Sequence, residues 1–226
     1  MGVPRTYRKS QENFRINFNW EEIANGVGIV QLTSLGTTDS TGEQFGNIPA
    51  SISEQADPQG SCNTLGGGSG DYNLVLERNF DNAKNSYATT IEGKAIVAIT
   101  YGAVSSLNNT SNTHVICKII KVDSAAAETV IGEIQSEEVI AAGSGAATTK
   151  TAIMTIDCSK TVINSSDFLR LNVEVWTKGV GTVPNNNGGY FAHDPSNSDA
   201  TLGVANITAA TNHTYLKWYV PFKVQI

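Results

Sequence analysis

The sequence predicts an all-β protein, built as an antiparallel two-sheet sandwich of about eight strands. Charged residues make up 16% of the chain, below the roughly 25% usual in soluble domains. Gly, Ser, Thr and Asn are abundant instead, and these residues suit turns and sheet surfaces better than surface helices. Apolar and polar residues alternate near the C-terminus, as in half-buried strands. Strands do not alternate with amphipathic helical segments, which a parallel α/β sheet would require.

Residues 1–26 are predicted to form an extended arm outside the sandwich. A short helical turn is expected within it, since Asn19 can cap the turn and Gly26 suits its exit. Four large apolar residues alternate with polar ones before that turn: Phe14, Ile16, Phe18 and Trp20. Burying each such side chain is worth roughly 1.5–3 kcal/mol. We therefore expect the arm to add a strand to its own sheet or to a neighbour's, and a solvated tail is the alternative.

Residues 27–226 are predicted to form the sandwich domain, with turns rich in Gly, Ser and Asn between its strands. The connection Gly36–Asp71 is long enough to be a functional or interface loop. An eight-stranded sandwich is most commonly a single jelly roll, and a Greek-key sandwich of another topology is the alternative. The predicted strands are Val27–Leu35, Tyr72–Glu77, Lys94–Tyr101, Thr113–Asp123, Thr129–Gln135, Thr149–Cys158, Asp167–Thr177 and Thr214–Ile226.

Individual strands carry clear patterns. One face of Asp167–Thr177 is wholly apolar, comprising Leu169, Leu171, Val173 and Val175. Pro221 interrupts the last strand and predicts a bulge or an edge position, because proline removes a ladder donor. Cys117 and Cys158 fall on apolar strand faces, where small core residues are expected. Glu128–Ala142 also fits helical spacing, but Gly132 and its β-branched neighbours favour a strand.

The sequence carries no recognisable catalytic motif. The Gly66–Gly70 cluster is not a P-loop, since no Gly-Lys-Ser/Thr follows it, and serines beside glycines do not complete a nucleophile elbow. The three histidines lack the spacing of a metal site, and His114, at a strand start, is predicted to lie on the surface. We therefore expect a protein that is not an enzyme and that uses no cofactor.

The segment Gly188–Asp199 is predicted to be a loop that brings aromatic rings, a histidine and carboxylates together. Asp194, Asn197 and Asp199 offer oxygen ligands that suit Ca²⁺. Their spacing does not match an EF-hand, and a loop held by Asx-turns is the favoured alternative. Tyr190 and Phe191 are expected to reach the surface.

Trp176 stands on the polar face of its strand, beside Glu174 and Arg170. Three roles remain open for it: a place at the end of the core, a contact with another subunit, or stacking against a sugar. We predict that Trp176, Tyr190 and Phe191, with the four apolar residues of the arm, form subunit contacts.

The charge balance argues against nucleic acid as the main partner, because the net charge is −6 and the sequence pI is about 5.0. Weak contact through the basic arm is the exception, carried by Arg5, Arg8, Lys9 and Arg15. No apolar stretch of membrane-spanning or signal-peptide length is found, so synthesis in a cytoplasm and no membrane association are expected. Three cysteines at long spacings do not predict a disulfide framework.

Three C-terminal segments are similar to those of the virion structural proteins of tailed viruses: LRLNVEVW (Leu169–Trp176), GGYFAHDP (Gly188–Pro195) and LKWYVPFKVQI (Leu216–Ile226). The resemblance implies a jelly-roll capsid, cement or decoration subunit, often trimeric, without catalytic residues. Its expected partners are copies of itself and other capsid proteins, and its expected location is the virion, after synthesis in the host cytoplasm. A carbohydrate- or receptor-binding sandwich module, using Trp176 and Tyr190–Asp199, is the alternative function.

Overall fold

A computed structural model describes residues 27–33, 43–45, 71–82, 88–105, 110–143, 146–180, 188–192, 199–202, 210–213 and 216–224. The described residues form thirteen strands and no helix. The predicted arm and its short helix lie outside this part of the chain. The strands are β1 (Val27–Thr33), β2 (Glu43–Phe45), β3 (Asn73–Asn82), β4 (Thr89–Ser105), β5 (Thr110–Val122), β6 (Glu128–Gln135), β7 (Val139–Ala142), β8 (Ala146–Ile163), β9 (Phe168–Val180), β10 (Gly188–Ala192), β11 (Asp199–Leu202), β12 (Ala210–His213) and β13 (Leu216–Val224).

Eight of these strands make the jelly-roll framework, and their pairing is nested along the chain. β1 pairs with β13, β3 with β9, β4 with β8 and β5 with β6, in each case antiparallel. Sheet A has the order β1-β13-β4-β8, and sheet B has the order β3-β9-β5-β6. First-with-last pairing of this kind, divided between two sheets, is the jelly-roll topology. The predicted all-β two-sheet sandwich is therefore confirmed as a jelly roll.

Five short strands extend this framework. β10 continues sheet A along β4 beyond β13, pairing with residues 100–104, and β7 likewise follows β6 along β5. β2 adds a parallel strand beside β3, and β11 pairs with β12 in a separate two-stranded sheet. The prediction of a loop over Gly188–Asp199 is thus wrong for its first five residues.

Two glycines at the start of β10 hid it from sequence reasoning, because glycine disfavours strands. Gly189 is required there, since a Cβ atom at this position would lie 2.6 Å from Thr113 Cγ2 and 2.7 Å from Val175 Cγ1. The close approach of β10 to sheet B leaves no room for a larger residue.

The core lies between the inner faces of the two sheets. Leu169, Leu171, Val173 and Val175 are all buried in it, as their alternation predicts. Phe80 of β3 meets Phe191 of β10 edge to face across the core, with ring centroids 6.3 Å apart. The largest fully buried side chains of the core include Trp218, Tyr101, Phe80 and Phe191. The core is therefore shared by both sheets and includes residues from β1 to β13.

Other strand predictions are also confirmed. Glu128–Ala142 forms β6 and β7 and not a helix. Cys117 and Cys158 are buried thiols, and burial raises the pKa of both. The ladder between β13 and β4 shifts register between Tyr219 and Lys223, which brackets Pro221 and confirms the predicted irregularity.

Replacing Leu171 by alanine tests the core assignment. Leu171 is fully buried in the core, so Leu171→Ala should lower the free energy of unfolding by about 2–5 kcal/mol through lost burial and a residual cavity. The matched control is Leu74→Ala, at an exposed position of β3. Urea unfolding of both variants measures the difference, and equal losses would contradict the assignment.

Candidate interaction surface

The outer face of sheet B is a network of polar side chains that contact one another. Arg170 on β9 holds Asp81 on β3 with two bonds, Nε to Oδ1 at 2.6 Å and Nη2 to Oδ2 at 2.7 Å. Its Nη1 reaches Glu128 on β6 at 2.5 Å. The hydrogen bonds to Asp81 raise the pKa of Arg170 further. Such bidentate charge-assisted pairs are among the stronger surface interactions, and this one joins three elements of sheet B.

Asn172 and Glu174, next along β9, continue the network. Asn172 Nδ2 donates to Glu77 Oε1 and to Asn79 Oδ1, both at 2.8 Å. Glu174 is buried, although it lies on the face opposite the core. Its carboxylate accepts from Lys118 Nζ on the neighbouring strand. A buried carboxylate requires such a partner, because transfer from water without one is costly.

Trp176 belongs to this network. Its Nε1 donates to Glu174 Oε2 at 2.8 Å, and its side chain is half-buried. The indole N–H is therefore occupied within the chain, while part of the ring remains accessible. The sequence left three roles open for Trp176. This geometry adds a fourth, in which Trp176 holds a buried carboxylate in position.

His114 stands next to Trp176 in the ladder between β5 and β9. It is only 5% exposed, so its predicted surface position is wrong. Tyr72 covers it edge to face, with ring centroids 4.5 Å apart. His114 Nδ1 is buried and has no hydrogen-bond partner among the described residues. The sequence feature that was missed is Tyr72, an aromatic residue just before β3. The pairing of β3 with β9 brings Tyr72 beside His114.

Burial sets the ionisation of this aromatic pair. It lowers the pKa of His114, and the nearby Glu138 carboxylate opposes that shift. Burial and a hydrogen bond with Glu138 raise the pKa of Tyr72 to about 12. Both groups are therefore neutral near pH 7.

Tyr190 and Phe191 do not lie on the surface, and this prediction is corrected. Each is 2% exposed, because β10 is a strand within sheet A. The Phe191 side chain points into the core, whereas the Tyr190 ring lies across Gly102 and its hydroxyl bonds to Thr149. Gly102 has no Cβ, which makes room for that ring.

The remaining predicted site residues are only partly covered by the structure. Asp194, Asn197 and the arm residues Phe14, Ile16, Phe18 and Trp20 lie outside the described residues. Asp199 begins β11, opposite His213 of β12. Within the described ranges there is no group of three or more His, Cys, Asp and Glu residues that could hold a metal ion. The same ranges contain no helix long and apolar enough to cross a membrane.

The outer face of sheet A carries three exposed isoleucines among polar residues that include Lys94 and Asp157. Ile153 on β8, Ile96 on β4 and Ile29 on β1 are 78%, 37% and 43% exposed. The register links them across the sheet. Ala98, two residues from Ile96, pairs with Ile153, and Tyr219 pairs with Ile96. Pro221, two residues from Tyr219, pairs with Ile29.

We call this diagonal row, Ile153, Ala98, Ile96, Tyr219, Pro221 and Ile29, the apolar stripe. It crosses all four framework strands of sheet A. Sequence reasoning did not identify it, because its residues lie on four strands that only the register brings together. Ala98 is itself buried, and Tyr219 and Pro221 are partly buried, so the exposed apolar area of the stripe comes mainly from its three isoleucines. Exposed apolar patches are typical of surfaces that bind another macromolecule.

Comparisons with known proteins show no family. No family model matches the sequence, and a search of curated proteins finds no match. The predicted kinship with tailed-virus proteins thus has no support from sequence comparison.

Among solved structures, the chain is similar to hydrolases and to a viral capsid protein. A CocE/NonD family hydrolase from Staphylococcus aureus is 7% identical, with a TM-score of 0.31, and the match covers 72% of this chain and 41% of that one. An alpha-amino acid ester hydrolase is 9% identical, with a TM-score of 0.33, over 66% of this chain and 25% of that one. The infectious bursal disease virus structure (Gx strain) is 12% identical, with a TM-score of 0.32, over 89% of this chain and 48% of that one.

These likenesses assign no function to the chain, because their TM-scores are below 0.5. The chain spans between a quarter and about half of the length of the three matched chains. Hydrolases stand beside the viral structures, however, so the prediction of a non-enzymatic protein is contradicted and is withdrawn.

Removing the cation that contacts Glu174 tests the sheet B network. Lys118→Met leaves a buried carboxylate with fewer donors, so the free energy of unfolding should fall by about 1–3 kcal/mol. Lys94→Met is the matched control, because Lys94 and Asp157 form an exposed pair at 3.0 Å and exposed pairs contribute little. Urea unfolding compares the two variants, and equal stability of Lys118→Met and the unmodified chain would contradict the network's role.

Acidification tests the buried neutral histidine. Burial places the pKa of folded His114 below its ordinary value of 6.5, so the unfolded chain takes up this proton first as the pH falls. The stability contribution is complete above about pH 6.5 and is lost as the pH drops from there through the lowered value. His114→Gln should therefore show a shallower loss of stability below pH 6.5. Urea unfolding across this range measures it, and parallel curves for variant and unmodified chain would refute it.

Proposed function

We propose that this protein is a structural subunit of a virion shell, a capsid, cement or decoration protein of the tailed-virus kind. In this proposal it associates with copies of itself, as a homotrimer, and with other capsid proteins. The apolar stripe on sheet A is the observation that carries the proposal.

The side chains on the outer faces of the sandwich support a proposal about which face contacts a neighbouring subunit. Ile153, Ile96 and Ile29 expose apolar surface that gains free energy, about 25 cal/mol per Å², when another surface covers it. Sheet B pairs several of its outward polar groups within the chain, through Arg170 and Glu174, and it also exposes Leu74, Val130 and Ile140. An interface centred on apolar residues and poor in charge is typical of stable subunit contacts. We therefore propose that the apolar stripe of sheet A contacts a neighbouring subunit.

The jelly-roll topology is compatible with this proposal and does not decide it. Jelly rolls occur in viral capsid proteins, lectins and cupins, so the fold alone does not assign a function. Trp176 and the four apolar arm residues remain proposed contact residues. The accessible part of the Trp176 ring suits the rim of an interface, where aromatic residues are enriched.

Charged substitutions in the apolar stripe test the proposal on the full-length chain. Ile96→Asp and Ile29→Asp each place a carboxylate in the proposed interface, so self-association should weaken at least about tenfold, equivalent to about 1.4 kcal/mol. Val130→Asp is the matched control, because Val130 is an exposed apolar residue on β6, away from the stripe. Analytical ultracentrifugation gives the association constants, and circular dichroism checks that each variant is folded.

A trimeric unmodified chain, weakened by both stripe variants and unaffected by the control, supports the proposal. An unmodified chain that stays monomeric, or stripe variants that associate normally, would overturn it. A monomer that binds glycans, with binding lost in Trp176→Ala, would favour the carbohydrate-binding alternative. Mass spectrometry of purified particles gives a second check, since a shell subunit is present in many copies.

A further inference from the structure

Three side chains that can react with one another meet on the outer face of sheet B. Lys118 of β5 stands directly opposite Asn172 of β9 in the antiparallel ladder, and residues paired in this way have Cβ atoms about 4.5–5.5 Å apart. Glu174 follows two residues later on β9 and therefore shares the outward face with Asn172. A primary amine, a carboxamide and a carboxylate are thus brought into one cluster.

The Lys118 ammonium is directed towards β9. On its other side Lys118 pairs with Glu133 of β6, and Glu133 is exposed. The Nζ atom contacts Glu174 Oε1 on β9 instead. This contact turns the amine towards the strand that carries Asn172 and away from β6.

The carboxamide of Asn172 is fixed in place and shielded from water. Asn172 and Glu174 are 2% and 8% exposed. Asn172 Nδ2 donates to Glu77 Oε1 and to Asn79 Oδ1. Its Oδ1 is buried and accepts no hydrogen bond within the described part of the chain. A buried carbonyl oxygen without a donor is costly, so this oxygen is suited to accept from a neighbouring group that gains a proton.

We propose that Lys118 and Asn172 condense into an isopeptide bond that joins β5 to β9, with Glu174 transferring the protons. The inference is independent of the proposed function, because it concerns a modification within one chain and not a contact between subunits.

The condensation balances without an oxidant, a reductant or another co-reactant. The Glu174 carboxylate accepts a proton from the Lys118 ammonium, which leaves a nucleophilic amine and a carboxylic acid. The amine lone pair forms a bond to Asn172 Cγ, while the Glu174 acid donates to Oδ1, the oxygen that lacked a donor. The Cγ–Nδ2 bond then breaks. One proton from the attacking nitrogen and the proton on Glu174 pass to Nδ2, which leaves as ammonium and restores the carboxylate.

Lys121 provides a comparison within the same sheet. Its Nζ also contacts a buried carboxylate, that of Asp167, at 3.0 Å. The residue opposite Lys121 on β9 is Leu169, which has no carboxamide. The carboxamide that bonds to Asp167 belongs to Asn164, and Asn164 is exposed. We therefore expect no isopeptide bond at Lys121, because water has access to the only amide in this cluster.

Mass spectrometry of the denatured full-length chain tests the bond directly. The chain should be lighter than its sequence by about 17 Da, the mass of ammonia, and a tryptic digest should contain a branched peptide that joins Lys118 to Asn172. Lys118→Arg keeps a cation beside Glu174 but removes the amine, so this variant should have its full mass. Glu174→Gln removes the proton acceptor and should yield at least about tenfold less of the linked chain.

The matched control is Lys121→Arg, which should keep the mass loss and the branched peptide. Circular dichroism checks that each variant is folded. A folded unmodified chain of full mass would overturn the inference, as would a mass loss that persists in Lys118→Arg. Loss of ammonia within the Asn172 peptide alone would indicate a cyclic imide, and a link between Lys121 and Asn164 would place the reaction elsewhere, so either result also contradicts it.

Discussion

The uninterrupted ladder between β5 and β9 is the constraint on which the rest of the structure depends. It pairs Thr110–Val122 with Phe168–Val180 without a register shift. Val115, Cys117 and Ile119 therefore stand opposite Val175, Val173 and Leu171, and all six are fully buried. A shift of one residue would turn this whole set to the other face of the sheet. The register is thus specified by the free energy of the core.

The same register decides what sheet B presents outward. It sets Lys118 opposite Asn172, two residues along β9 from Glu174, and it sets His114 opposite Trp176. The outer polar network is therefore a consequence of the inner packing and does not need its own source of specificity. On sheet A, Ile96 lies on the outer face of β4 and is exposed, whereas its outer neighbour Ala98 is buried.

The edges of the sandwich show a similar division. Where Gly132 lets β6 approach Asp157 on β8, the edges are closed by contact within the chain. Where Ile134 and Met154 face each other, the core is left partly open. Sheet edges are usually protected against unwanted pairing, and the contact between β6 and β8 protects this edge in part.

Much of this fold could be predicted from the alternation of residues. Strands with strong alternation, such as β9, were placed within a few residues, and Pro221 marked the irregularity in β13 correctly. The ends of strands were predicted less well where the residues have a low propensity for β-structure. β4 and β8 extend well beyond Lys94–Tyr101 and Thr149–Cys158 into runs of Thr, Ala and Ser. Those runs form strands because each pairs with the other, a cause that lies far away in the chain.

The candidate surfaces show the same limit more sharply. The polar face around Trp176 was visible in the sequence, whereas the burial of His114, Tyr190 and Phe191 was not, because each depends on a neighbouring element. Gly188 and Gly189 read as a loop locally and form a strand only where β4 offers an edge.

By itself, the sequence determined the class of fold and the inward face of each strong strand, because alternation with a period of two is a local property. The tertiary structure alone decided which strands are neighbours, and hence which outward residues gather into a network or a stripe. Those groupings depend on register between distant segments, which the free energy of the whole core selects.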